Sequence, residues 1–254
     1  MQPIIRYILL TASRDWLFLG LMILIVIAAG ISMFLGSTAL SEQSLMQVAY
    51  ISGSARLILI IGMILFICFH IRRSFDNREI EFNLSRPISR SKFVLAYFFA
   101  FACLAAIILV PLLFILVVFF KLSFVISLLW CLSLFYEILI ISSFAILSSL
   151  MLKSAVTSVL LSFCTYFLSR IIGFAVSTII IPKQVQNFNL NTLMELFLKF
   201  VSIFLPRLDL FTKSKWLVYQ SVEIAIFQII TFQTFIYVAL ILVATLLDFK
   251  KREF

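Results

Sequence analysis

Three runs of this chain, residues 17–40, 93–120 and 224–247, contain no Asp, Glu, Lys or Arg. Each is longer than the roughly 20 residues with which an α-helix crosses about 30 Å of hydrocarbon. A backbone in lipid must satisfy its own hydrogen bonds, so such runs are helices or closed barrels. A barrel would show short alternating segments instead, so the runs are read as helices. The rest of the chain agrees: 64% of its 254 residues are hydrophobic, 29 are Phe and only 12% are charged. With a mean hydropathy of +1.20, a soluble domain would have nowhere to put its apolar surface. The expected fold is an all-α polytopic membrane protein forming one domain over residues 1–254.

Six spans are expected, at about 17–38, 50–71, 93–120, 122–150, 155–181 and 224–247. The second is the weakest, because Arg56 and Arg72 bracket its uncharged part. Its helix is expected to start before Arg56, with that side chain snorkelling to the outer surface. Only the neighbourhood of Lys121 separates the third and fourth spans, which implies a tight hairpin. Ahead of the first span, Gln2, Arg6, Ser13 and Arg14 fall loosely on one helical face, as in a helix lying in the interface. Ser37-Thr38-Ala39 has the form of a signal-peptide cleavage site. The apolar stretch before it is longer than a signal peptide's, so the segment is expected to stay as an anchor.

Orientation follows from the basic residues. With both termini cytoplasmic, twelve Lys and Arg lie inside and seven outside, and Arg170 remains in the membrane. This places residues 72–92 inside as a loop and 182–223 outside as a long excursion. Residues 190–205 of the excursion are apolar but carry Glu195 and Lys199. That stretch is too short to span, so a re-entrant or interfacial helix is expected before the last span. The net charge of +9 fits this bias and anionic lipid better than nucleic acid.

Several chemistries lack their residues. His70 is the only histidine, so a paired-histidine metal site cannot be built. No Gly-rich phosphate loop of the G-x-x-x-x-G-K-[ST] form occurs, so nucleotide energy would have to come from another polypeptide. Cys68, Cys103, Cys131 and Cys164 stand alone in separate apolar runs, as small apolar side chains do and metal ligands do not.

Two polar features remain. Glu137 and Arg170 lie near the middle of the fourth and fifth spans. A lone charge there costs at least about 2.5–3.5 kcal/mol, so pairing or a polar cavity is expected. The pair either pins two helices or lines a substrate path. Ser142, Ser143, Ala145, Ser148 and Ser149 read as close-packing small residues. The second feature is FDNREIEFNLSRPISRSKF, residues 75–93, where charge is concentrated. Asp76 and Glu79 have capping-box spacing. A short helix is therefore expected from about Asn77 to Ser85, stopped by Pro87, with Phe75 and Phe82 on one side and Ile80 and Leu84 on the other. A topology signal alone would need only Lys and Arg.

This stretch carries a resemblance. Glu79-Ile80-Glu81 followed by Leu84-Ser85-Arg86-Pro87-Ile88-Ser89-Arg90, ahead of an aromatic-rich span, resembles the permease subunits of ABC-2 type transporters. The stretch from Leu205 to Phe211 with Trp216 to Tyr219, and the basic end Asp248 to Phe254, are similar to the same family. Where that family often has Gly-Thr after the second acid, this chain has Phe82-Asn83. The resemblance implies a transporter subunit in the cell membrane, an exporter in expectation, with no catalytic residue, metal or cofactor of its own. It also implies two cytoplasmic ATPase partners that bind ATP and Mg, and a second permease copy or a related permease. The loop would be a coupling helix, with Asp76, Glu79 and Glu81 as ionic contacts, Phe82 and Leu84 as anchors, and Arg86 and Arg90 as positioning charges. The rival readings are an intramembrane enzyme acting on lipid or peptide through His70 or Glu137, and a non-transporting anchor for an ATPase.

Overall fold

A computed structural model describes residues 2–14, 16–38, 42–77, 90–180 and 205–251. Its helices are α1 (Gln2–Arg14), α2 (Trp16–Thr38), α3 (Gln43–Asp76), α4 (Arg90–Val118), α5 (Phe124–Met151), α6 (Ala155–Ile180), α7 (Ser214–Val218) and α8 (Ile224–Lys251). A 3-10 turn covers Leu208–Leu210. There is no strand among the described residues. Five helices, α2, α3, α4, α5 and α8, are long and apolar enough to cross a membrane. The fifth segment expected to span forms α6, a helix of 26 residues.

The centre of the bundle is α5, which packs against α3, α4, α6 and α8. Its sequence explains this place. Ser127, Ser133, Ser142, Ser143, Ala145, Ser148 and Ser149 are all buried, and small side chains let neighbouring backbones come close where no water drives association. Their hydroxyls are satisfied locally: Ser142 donates to the Leu139 carbonyl and Ser143 to that of Ile140. Toward α6 the contact is a serine seam. Ser148 Oγ and Ser162 Oγ lie 3.0 Å apart, and Ser158 Oγ donates to the Ser148 carbonyl at 3.2 Å.

Two levels of contact fix the directions of these helices. Arg56 of α3 lies beside Glu137 of α5 at one level, and Cys68 lies beside Ser148 and Ser149 at the other. Sequence number rises the same way in both helices, so α3 and α5 run parallel. Helix α6 runs against them, with Arg170 at the first level and Ser162 at the second.

The second expected span is longer than the sequence reading gave it. Helix α3 starts at Gln43 and continues past Ile71 to Asp76, where the Asn77 N–H bonds back to the Arg73 carbonyl. The last turn carries an Arg72–Asp76 ion pair of 2.8 Å in i,i+4 spacing. Asp76 therefore closes α3. The short helix expected after it falls on residues 78–89, outside the described residues. The same holds for the helix expected at 190–204.

Between α4 and α5 the chain turns within residues 119–123, with Lys121 at a left-handed φ of 51°. Helix α1 packs on α4 through the fully buried Ile8 and Ala12. Helix α8 packs only on α4 and α5 and leaves a wide face open, with Phe232 71% and Phe235 69% exposed. Helix α2 does the same with Val26 and Phe34. Such faces belong in hydrocarbon. The chain is a multi-pass helical membrane protein.

Candidate functional site

Residues 205–219 fold back into the bundle as a strap. Leu208, Phe211 and Leu217 are fully buried and Trp216 nearly so. The strap touches α3, α5 and α6. Irregular backbone inside a membrane protein is tolerated only where protein satisfies its polar groups. The charged residues of the bundle do that here.

Glu137 projects from the centre of α5 and is completely buried. Arg170 Nη1 donates to its Oε1 at 2.8 Å, and Thr212 Oγ1 of the strap donates to its Oε2 at 2.6 Å. The same Arg170 nitrogen donates to the Leu208 carbonyl at 3.2 Å. Arg56 Nη1 reaches the Thr212 carbonyl at 3.5 Å. The Thr212 N–H donates to Ser133 Oγ, one turn before Glu137, at 3.0 Å. Two guanidiniums thus serve two strap carbonyls, and one carboxylate holds both a guanidinium and the strap hydroxyl. The buried Tyr166 hydroxyl lies alongside Glu137 and Arg56 without a direct hydrogen-bond partner.

Thr212 has φ 44°. A β-branched residue in the left-handed region is strained and persists only when its surroundings over-determine it. Its N–H, carbonyl and hydroxyl are each held by a different side chain. Next to it the strap comes in close: the space where Gly173 would carry a Cβ is occupied by the Asp209 carboxylate. Asp209 pairs in turn with Arg207 at 3.2 Å.

Glu137 and Arg170, expected near the middle of adjacent spans, are brought into direct contact. Arg56 corrects its expectation. It stands about 20 Å along α3 from Gln43, as far as Glu137 stands along α5 from Phe124. It does not snorkel to a surface, because the Thr212 carbonyl offers an acceptor at its own level. Thr212, Ser133 and Tyr166 had no signal in the sequence, since the strap reaches them from about 40 to 80 residues away.

Of the residues singled out in the charged stretch, Asp76 is in the last turn of α3 and Arg90 is the first residue of α4. Glu79, Glu81, Phe82, Leu84 and Arg86 lie outside the described residues. The two charged regions sit at opposite ends of α3, Arg56 and Asp76 being about 30 Å apart along its axis. His70, one turn and a half before Asp76, is stacked on Phe66 at 5.5 Å and meets Phe101 edge-on at 6.0 Å. All four cysteines are free, Cys68 and Cys131 buried, Cys103 and Cys164 exposed. No protein-family model matches the chain, and no curated protein matches it.

Proposed function

We propose that this chain is the membrane-spanning subunit of an ABC-2 type transporter working as an exporter. The observation that supports it most is the charged stretch 76–91, which joins two long apolar helices, α3 and α4, and whose residues resemble that family's coupling segment. In this reading α6 is the fifth of six spans, both termini are cytoplasmic, and two chains associate with two cytoplasmic ATPases. Those partners carry ATP and Mg, and this chain needs no cofactor. Glu79 and Glu81 meet the ATPase, Phe82 and Leu84 anchor the contact, and Asp76, Arg86 and Arg90 orient it.

The mechanism runs through α3. A helix of 34 residues transmits displacement as a rigid body, so closure of the ATPases at its Asp76 end reaches Arg56 and, through the Thr212 carbonyl, the strap. Glu137 and Arg170 then hold the far side shut rather than line an open path, because Glu137 is fully enclosed.

The test is charge reversal at Glu79 and Glu81 in vesicles reconstituted with the partner ATPase. Assembly is expected to weaken and hydrolysis to uncouple from substrate movement. Unchanged transport with normal assembly would refute the coupling assignment. The intramembrane-enzyme reading has less support: both Glu137 oxygens are occupied, and His70 lies among aromatic rings near the opposite end of the bundle.

A further inference from the structure

At the Asp76 end of α3 there is a cavity of about 600 Å³ that the polar centre does not use. Its walls change character along the helix. Phe66 and Phe69 line the deeper part, and His70, Arg72, Arg73 and Asp76 line the mouth. Across from them stands Ala155, the first residue of α6. The change falls where the apolar run ends at Ile71 and charge begins at Arg72, the depth at which a lipid changes from chain to headgroup.

The charges around the mouth do not cancel. Asp76 is the only carboxylate in the lining and is already engaged by Arg72 at 2.8 Å. Arg73 is exposed and makes no ion pair among the described residues. A guanidinium offers two parallel N–H donors matched to a phosphate, and the start of α6 turns the positive end of a helix dipole toward the same space. From the mouth the surface continues as hydrocarbon. Phe69 is 46% exposed, and Val156 and Leu160, just along α6 from Ala155, are exposed as well.

We infer that this cavity is a binding site for an anionic phospholipid, its phosphate held by Arg73 at the mouth and a chain lying past Phe69 against the open face of α6. A soluble phosphate would use the same donors but would gain nothing from the aromatic floor or the exposed aliphatic face beside it. The inference is independent of the transporter reading and concerns the chain alone.

The experiment uses the purified full chain in mixed micelles containing phosphatidylglycerol or phosphatidylcholine, with retained lipid counted by native mass spectrometry. The wild type is expected to retain phosphatidylglycerol in preference. Arg73→Gln should lower that retention about fivefold, the weight of one basic residue at an anionic surface, and leave phosphatidylcholine unchanged. Arg73→Lys should keep most of it, which guards against a folding defect. Lys92→Gln, which removes an exposed charge near the start of α4 outside the cavity lining, should keep all of it. Equal losses in Arg73→Gln and Lys92→Gln would reduce the effect to a diffuse basic ring and overturn the site. So would an unchanged Arg73→Gln. Displacement of phosphatidylglycerol by excess glycerol 3-phosphate would make it a soluble-anion site and overturn the lipid assignment.

Discussion

The two ends of α3 handle charge in opposite ways. At the strap end, Arg56, Glu137 and Arg170 are held within the bundle and their polar contacts are spent on one another and on the strap. At the Asp76 end, Arg72, Arg73 and Asp76 reach toward solvent, with only the Arg72–Asp76 pair between them. The first arrangement fixes a structure and the second leaves groups available to something outside it. Energetics separate them too. A buried pair is strongly destabilising to break from one side, whereas an exposed pair contributes about 0–1 kcal/mol.

This contrast can be broken in steps. The largest effect is expected at the polar centre: Glu137→Leu or Arg170→Leu leaves an uncompensated buried charge and should cost about 3–5 kcal/mol. Thermal unfolding in detergent should show both singles strongly destabilised and the double variant recovering much of the loss. If the double falls by the sum of the singles, the two residues do not act as a pair.

Thr212 comes next. Thr212→Ala removes a hydrogen bond to a charged carboxylate, a loss of about 1.5–3 kcal/mol, and keeps the left-handed backbone strained. Thr212→Gly removes the same bond but relieves a strain of about 1 kcal/mol. The glycine variant should therefore melt above the alanine variant, an order that a right-handed backbone at 212 would reverse. The smallest effect belongs to the other end. Asp76→Asn should leave thermal stability within about 0.5 kcal/mol of wild type. A shift as large as that of Thr212→Ala would erase the distinction between the two ends.

How much was legible depended on how local the cause was. Helices α2, α4, α5, α6 and α8 follow from uninterrupted apolar runs, because a run of that length in lipid has few alternatives to a helix. The ends of α3 were not legible. Tyr50 and the residues before it are only moderately apolar, and the Arg72–Asp76 turn is polar, so hydropathy marks the part suited to lipid and not where the hydrogen-bonded helix stops. Glu137 and Arg170 were found because a mid-run charge demands a partner. Arg56 carried the same demand, but its place near the start of a run made a surface position look available.

The amino-acid sequence by itself determined that this chain is a bundle of long apolar helices and that Glu137 and Arg170 needed company. Both are consequences of water's absence from hydrocarbon, which acts on every residue in turn and needs no neighbour to be known. Only the tertiary structure decided that the company includes Arg56, Ser133 and Thr212, and that the strap 205–219 comes back into the bundle to supply it. That outcome rests on three helices and a loop meeting at one level, with Thr212 held at a backbone angle its own side chain disfavours. Such a residue is kept in place by its partners, and no reading of its immediate sequence contains them.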